Sequence, residues 1–430
     1  LETALRREAD IHRLETSLEQ IRKLGPVLRS SDWHIALTYD TGREKNGTAR
    51  LIRVQPASRA EEEALCGLAI DVGTTTVTVW LVDLLTGSVM YQGSEYNRQI
   101  SRGEDVISRI IFGSKNNGDV ELRDLVLQTI NDLVEAACSK KGISAKDIIK
   151  ATVSGNSTMM HLLLGIPPES IRLEPFITPI NHLPLLRASD VGITMNADGI
   201  VDPLPGVASY VGADITAGVL ASDLRSSPAT TLFIDVGTNG EIVLGSSEWL
   251  VTCACSAGPA FEGAGVLHGM RADTGAIEEV WIDGTTYEPT SRVIGNVAPR
   301  GICGSGLISL VAEMFITGIL DKGGHINQTL GTPRVRRSLH GAEYVIAWAA
   351  ETETGEDIVI TRVDIDNLLR AKAAIYAGFN VLADGVGIEL GSAEQVLIGG
   401  SFGKYINVEK AIDIGLLPDI PWERFDFLGN

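Results

Sequence analysis

The stretch Leu68-Ala-Ile-Asp-Val-Gly-Thr-Thr-Thr-Val-Thr-Val-Trp80 returns in outline as Leu232-Phe-Ile-Asp-Val-Gly-Thr-Asn-Gly-Glu-Ile-Val-Leu244. Each copy predicts an apolar strand, an Asp-Val-Gly-Thr turn and a second strand rich in Val and Ile. Backbone N–H groups in such a hairpin turn can face phosphate oxygens, and the carboxylate can hold Mg²⁺ or its water. Because the hairpin occurs twice, the sequence predicts a duplicated domain whose two copies contact one nucleotide.

Composition limits the class of protein. The 430 residues are too many for one core, and 44% hydrophobic with 21% charged residues is ordinary for a globular chain. The net charge of −19 argues against nucleic-acid binding, and no apolar run is long enough to span a bilayer. We therefore expect a cytoplasmic protein. The chain does not begin with Met, and we expect it to be a fragment.

Cysteine usage favours a reducing compartment. The five cysteines are odd in number and scattered, and they form no four-cysteine iron–sulfur pattern. Cys253 and Cys255 are predicted to be buried thiols, because cysteine is among the most often buried residues. His161 is predicted to be a packed helix residue and Asn156 a helix cap.

The pattern along the chain predicts three regions. Residues 1–66 are expected to be a small α+β piece, with one amphipathic helix over 1–24 and two strands within 33–55. The first large lobe is expected over residues 67–228, with an insertion at 165–205 that is rich in proline and turns. Residues 229–430 are expected to form the second lobe.

A third segment of chemical interest lies late in the chain, where a buried strand is predicted to end in Gly399-Gly400-Ser401. Glycines there allow a flat ring to lie close to the backbone. An Ala-rich helix over residues 364–386, N-capped by Asp364, is predicted to precede it. Gly304-Ser305-Gly306 is predicted to open an apolar helix, where binding of phosphate or ribose and close helix packing explain the glycines equally well.

The two hairpins and the late Gly-Gly loop, in this order, resemble the actin/sugar-kinase/Hsp70 superfamily of ATPases. The resemblance implies an α/β fold of duplicated ribonuclease-H-like, actin-like ATPase domains, with ATP and Mg²⁺ as ligands. Phosphoryl transfer mainly needs positioning and charge neutralisation. Asp71 or Asp235 would therefore orient the attacking water as the catalytic carboxylate, and both would hold Mg²⁺, partly through water.

The same resemblance assigns nucleotide contacts position by position. The phosphate contacts would come from Gly73, Thr74, Thr75 and Thr76 in the first hairpin and from Gly237, Thr238 and Asn239 in the second. Gly304 and Ser305 would add a contact at the start of the apolar helix, and Gly399, Gly400 and Ser401 would lie against adenosine.

Longer segments narrow the resemblance to one family. They are Val153-Ser-Gly-Asn-Ser-Thr-Met-Met-His-Leu-Leu-Leu-Gly-Ile166, Gly258-Pro-Ala-Phe-Glu-Gly-Ala-Gly-Val-Leu-His-Gly-Met-Arg-Ala272, Gly301-Ile-Cys-Gly-Ser-Gly-Leu-Ile308, Ala371-Lys-Ala-Ala-Ile-Tyr-Ala-Gly378 and Ile414-Gly-Leu-Leu-Pro418. Over residues 67–430 they resemble the reductive activators of corrinoid proteins, and residues 1–66 resemble the end of that family's middle domain.

The family resemblance implies ATP-dependent return of a Co(II) corrinoid protein to Co(I). It further implies a plant-type [2Fe–2S] domain N-terminal to this chain, an electron donor to that domain, a corrinoid partner from a methyltransferase system, and a homodimer. The alternatives are a small-molecule kinase of the same fold, in which an aspartate deprotonates a hydroxyl, and an activator of a radical dehydratase. The second alternative needs cluster cysteines, whereas Cys138 and Cys303 stand isolated.

Overall fold

The computed structural model describes residues 1–43, 47–60, 63–237, 239–256, 258–263, 265–339, 341–400 and 406–429. They divide into two compact units, Leu1–Ala217 and Gly218–Asn430. Within these ranges, no helix combines the length and the apolar character needed to cross a bilayer.

The first unit begins with a small α+β layer. Its elements are α1 (Glu2–Ala9), β1 (Arg13–Glu15), α2 (Leu18–Ser30), β2 (Ile35–Asp40), β3 (Thr48–Pro56) and α3 (Ala57–Ala60), with the strands paired in the order β1-β3-β2. The two strands predicted within residues 33–55 are confirmed, but the single helix over 1–24 is wrong. Asp10 ends α1 in the left-handed conformation, and the Ser17 side chain caps a second helix that continues past Pro26. Aspartate tolerates the left-handed region, so helical spacing alone did not reveal the break.

The main sheet of the first unit is built around the first hairpin. The elements are β4 (Cys66–Val72), β5 (Thr76–Asp83), β6 (Val89–Tyr96), α4 (Val106–Gly113), α5 (Gly118–Lys141), β7 (Ile148–Gly155), α6 (Ser157–Leu164), α7 (Glu169–Arg172), β8 (Leu186–Arg187), α8 (Ala188–Val191), β9 (Ile200–Pro203) and α9 (Ala213–Ala221). The strand order is β6-β5-β4-β7-β9-β8, with β8 and β9 coming from the predicted insertion. The buried face of α5 covers this sheet.

The second unit repeats the plan and adds two small sheets. Its elements are β10 (Thr231–Val236), β11 (Gly240–Gly245), β12 (Leu250–Cys255), β13 (Ala276–Ile282), β14 (Pro289–Val293), β15 (Gly301–Ile302), α10 (Gly304–Ile316), β16 (Val335–Ser338), β17 (Gly341–Ala347), β18 (Ile358–Thr361), α11 (Arg362–Val386), β19 (Gln395–Gly399), α12 (Val408–Asp413) and β20 (Phe425–Gly429). The main sheet has the order β12-β11-β10-β19-β20, and the small sheets are β14-β13-β15 and β16-β17-β18.

The two main sheets share one topology. In each sheet a three-stranded antiparallel meander, β6-β5-β4 or β12-β11-β10, continues into two parallel strands, β7-β9 or β19-β20. A long helix, α5 or α11, precedes the first of these parallel strands in each unit. The duplicated α/β fold predicted from the repeated hairpin is confirmed by this correspondence.

The Ala-rich helix α11 is confirmed, but its predicted cap is not. Thr361 is the N-cap, and its hydroxyl accepts the N–H of Asp364, whose carboxylate accepts the Thr361 N–H at 2.8 Å in a reciprocal capping box. The helix lies close to β12 at Gly378, where an added Cβ would overlap the Cys255 sulfur. Cys255 is buried against this glycine, as predicted, whereas Cys253, also predicted to be buried, is only partly buried.

Candidate nucleotide site

The tip of the first hairpin is a tight turn over residues 73–76. Val72 and Val77 form the last pair of β4 and β5, and the Gly73 N–H donates to the Thr76 carbonyl at 3.0 Å. A Cβ at position 73 would lie 2.5 Å from that oxygen, so the turn requires glycine. Asp71 lies just before the turn and is directly paired with Thr78 on β5 and Ser154 on β7.

The carbonyl groups of this turn are all held by neighbouring donors. The Asn97 side chain donates to the Gly73 oxygen at 2.9 Å, and its backbone N–H donates to the Thr75 oxygen at 2.9 Å. Arg109 Nη2 donates to the Thr74 oxygen at 2.6 Å. In a planar trans peptide the N–H points opposite to the C=O. The N–H groups of the residues that follow these carbonyls therefore point away from Asn97 and Arg109, as an anion-binding turn requires.

Thr74 itself is largely buried, being 5% exposed. Its hydroxyl accepts a hydrogen bond from Asn156 Nδ2 at 2.9 Å, and Asn156 Oδ1 accepts the Met159 N–H at 3.0 Å. Asn156 is thus the predicted cap of α6, and it also ties that helix to the hairpin. Thr75 and Thr76 are more exposed than Thr74.

The second hairpin has a shorter tip. Val236 and Gly240 form its last pair, which leaves residues 237–239 in the turn, and the Gly237 N–H donates to the Asn239 carbonyl at 2.9 Å. Thr238, a predicted phosphate contact, lies outside the described residues. The two turns therefore differ by one residue, although both follow a strand that ends in Asp-Val.

Asp235 and the late Gly-Gly segment lie side by side in the second unit. Asp235 pairs with Gly399 across β10 and β19, and a Cβ on Gly400 would lie 2.6 Å from Asp235 Oδ1. Gly400 has a φ of 80°, in the left-handed region that favours glycine. The structure therefore brings two of the predicted site segments together, while Ser401 lies outside the described residues.

The Asp235 carboxyl group has a perturbed pKa. Burial raises its pKa from 3.8 to about 6. Across the described part of the chain, no side chain donates a hydrogen bond to it and no cation pairs with it. A desolvated carboxylate without a partner is a group that a bound cation would stabilise.

Sequence reasoning missed several residues around the hairpins. Glu241 is buried and directly opposite Asp235 on β11, which places the two carboxylates on the same face of the sheet. Side chains alternate between the two faces of a strand. Once the length of the turn is known, this alternation places Glu241 on the same face as Asp235. Asn97 and Arg109 are distant in sequence from residues 73–76, and no local spacing indicates that they hold the turn.

The predicted contact from the apolar helix is less exposed than expected. Gly304 and Ser305 are buried at the start of α10, and Ser305 lies 3.3 Å from the Cys303 sulfur. A Cβ on Gly306 would overlap the Ile277 carbonyl, so this glycine is explained by close helix–strand packing. A nucleotide contact from Gly304 and Ser305 stays a prediction.

His161 is 3% exposed, and its Nδ1 lies 2.6 Å from the Ser157 carbonyl, which confirms a packed residue.

The fold and these two hairpins define a domain of the ASKHA class, with an actin-like fold. Residues 229–430 match the family model described as the C-terminal domain of RACo, the ASKHA domain. Residues 66–227 match the model described as the RACo middle region. The chain therefore belongs to the RACo family. The RACo middle-region model matches residues 66–227, whereas the sequence analysis placed the end of the family's middle domain in residues 1–66.

Relatives with known names agree with this family. A solved structure of a reductive activator for corrinoid, iron–sulfur protein is 45% identical, with a TM-score of 0.90 over 100% of this chain and 68% of that chain. The corrinoid activation enzyme RamQ of Eubacterium limosum is 36% identical over 381 residues, which are 87% of this chain and 64% of RamQ. A [Co(II) methylated amine-specific corrinoid protein] reductase of Methanosarcina barkeri is 24% identical over 82% of this chain and 66% of its own length. The chain spans just under two thirds of the length of these two curated relatives.

Proposed function

We propose that this chain provides the ATP-dependent part of a reductive activator that returns a corrinoid protein from Co(II) to Co(I). The observation that carries the ATP assignment is the repeated hairpin, with Asp71 and Asp235 at matching positions on two sheets of the same topology. The corrinoid assignment is supported by family membership and by what the names of the relatives say they act on.

Residues 73–76 and 237–239 would bind the phosphates, and Gly399, Gly400 and Ser401 would lie against adenosine. Gly304 and Ser305 would add a contact from the second unit. Asp235 fits Mg²⁺, because its carboxylate has no partner within the described ranges and Mg²⁺ commonly uses one or two carboxylates together with substrate phosphates and water. The cation would supply charge neutralisation at the phosphates, and Asp71 or Asp235 would orient the attacking water.

Corrinoid reduction is difficult partly because an axial ligand stabilises Co(II). A protein that binds the corrinoid partner and displaces that ligand makes the one-electron step easier. Moving such an equilibrium from 1:99 to 99:1 requires about 5.5 kcal/mol of differential binding. In the proposed cycle the ATP-bound form of this chain binds the partner, and hydrolysis releases it.

The electron is proposed to come from an iron–sulfur donor. A [2Fe–2S] cluster needs four ligands, mostly cysteines. Among the residues that the structure describes, no three or more His, Cys, Asp or Glu side chains lie together as a metal site. We therefore assign no electron-transfer step to these residues. The proposal gives them nucleotide and partner binding.

The test is ATP binding and hydrolysis with and without a Co(II) corrinoid protein, comparing the wild type with Asp235→Ala. The matched control is Asp283→Ala, an exposed aspartate in a turn of the same unit. We expect Mg²⁺-dependent turnover that the corrinoid protein stimulates, that Asp235→Ala abolishes and that Asp283→Ala retains.

Other outcomes contradict different parts of the proposal. ATP binding without a response to corrinoid proteins, together with ADP formation that depends on a sugar, would indicate the small-molecule kinase. Absence of nucleotide binding would remove the ATP assignment altogether. Light scattering in the presence of ATP tests the homodimer that the family resemblance implies, and a monomer under these conditions would contradict it.

A further inference from the structure

Arg109, on α4, is a buried guanidinium that has no charged partner among the residues the structure describes. Its exposure is 0%, and Nε donates to the Gly103 carbonyl at 2.9 Å. Nη1 contacts Gln99 Oε1 at 3.1 Å and the Met159 sulfur at 3.2 Å, and Nη2 donates to the Thr74 carbonyl at 2.6 Å. All these acceptors are uncharged.

Burial of an arginine in this way has an electrostatic consequence. Across the described ranges no carboxylate forms an ion pair with Arg109, and the acid that acts on it from a distance, Asp105, is exposed. Desolvation lowers the pKa of Arg109 to about 10, so it stays charged at neutral pH. A buried charge is costly unless it is compensated, and its field is weakly screened. An anion at the hairpin turn would compensate it.

The bond from Nη2 to Thr74 fixes the orientation of one peptide of that turn. Since the Thr74 carbonyl points at Arg109, the N–H of Thr75 in the same peptide points the opposite way. Asn97 fixes the two flanking peptides in the same manner. Arg109 therefore combines two actions on the turn, through its direct bond and through its charge.

We propose that Arg109 is a positioning residue for phosphate binding: it aims the Thr75 N–H at the phosphates of the nucleotide and supplies the positive charge behind the turn. This inference rests on the proposed function, because it needs ATP as the ligand of the first hairpin. The inference concerns phosphate binding alone. The binding of adenosine, which has no phosphates, is therefore expected not to depend on Arg109.

The test compares Arg109→Met, which removes the charge and the guanidinium hydrogen bonds, with Arg109→Lys, which keeps the charge without the planar fork. Arg102→Met is the matched control, because Arg102 lies near α4, is 43% exposed and pairs with Glu121. Binding constants are measured for ATP, ADP and adenosine. We expect Arg109→Met to weaken the binding of ATP and ADP about tenfold or more, which is the equivalent of one charged hydrogen bond. The affinity for adenosine should stay within about twofold of the wild-type value. The affinity of Arg109→Lys for ATP and ADP is expected to lie between those of wild type and Arg109→Met.

A purely structural role for Arg109 would lower the folded fraction and leave the ratio of ATP to adenosine affinity unchanged, and that result would overturn the inference. Hydrogen exchange of the wild type covers the case in which the variants do not fold. ATP, and not adenosine, is expected to slow exchange of the amides at residues 74–76, and unchanged exchange there would also overturn it. If the wild type binds ATP while Arg109→Met binds it equally well, only the role of Arg109 fails. If the wild type binds no ATP, the proposed function fails with it.

Discussion

The buried carboxylate of Asp235 destabilises the free protein at neutral pH, and in the proposed complex it would bind a cation. Its folded-state pKa of about 6 lies above the ordinary value of 3.8, so the folded chain binds this proton more tightly than the unfolded chain does. The stability that the protonated group contributes is complete below about pH 4 and is lost as the pH rises to about 6. A cation bound at Asp235 would reverse this loss, because it favours the charged form.

We therefore expect Asp235→Asn to stabilise the nucleotide-free protein at about pH 8 by on the order of 1 kcal/mol relative to wild type, with little difference at about pH 4. The same variant is expected to lose Mg²⁺-dependent ATP binding. Thermal unfolding at the two pH values, together with nucleotide titration, measures both effects.

Asp283→Asn provides a control of opposite sign. Backbone and hydroxyl donors of its turn lower the pKa of Asp283, so its carboxylate favours folding above its usual pKa. Its substitution should destabilise the protein at the higher pH. A stability difference between Asp235→Asn and wild type that is the same at both pH values would contradict the role of burial.

At the scale of the element, α11 and β12 depend on one close approach. Gly378 lies where a Cβ would overlap the Cys255 sulfur, whereas Gly385 on the same helix has open space around its Cα. We expect Gly378→Ala to cost about 1–3 kcal/mol, because the helix must move away from the sheet. Gly385→Ala should be neutral or stabilising by about 0.5 kcal/mol, through helix propensity alone. Denaturant unfolding of the two variants measures the difference, and equal stabilities would show that α11 can shift freely.

The elements also show what sequence could and could not predict. The hairpins and α11 were predictable because strand alternation, glycine in turns and helical spacing are local patterns. The break at Asp10 and the cap at Thr361 were missed, because several residues near a helix end suit the same role. Asn97 and Arg109 were missed for a different reason: the bonds to residues 73–76 join segments that only the tertiary fold brings together.

At the scale of the whole molecule, the repeated Asp-Val-Gly-Thr motif correctly predicted the duplicated topology. The differences between the copies were less predictable. The first turn is held by the buried side chain of Arg109 and by Asn97 and Asn156. The second turn is one residue shorter. In the second hairpin Glu241 stands opposite Asp235, at the position where the first hairpin has Thr78 opposite Asp71. Duplicated topology thus does not imply identical chemistry in the two hairpins. The domain limits at residues 66 and 228 and the full site remain predictions.

If one ATP serves both hairpins, ligand binding must stabilise both units together. A ligand at about one hundred times its dissociation constant stabilises the folded state by about 2.7 kcal/mol. With Mg²⁺ and ATP, we expect hydrogen exchange to slow in the β4–β5 and β10–β11 hairpins at the same nucleotide concentration. Asp71→Asn should weaken the response in both hairpins, although it changes only the first unit. A response that persists at β10–β11 in this variant would mean that the second hairpin binds the nucleotide alone, and the first would then need another ligand.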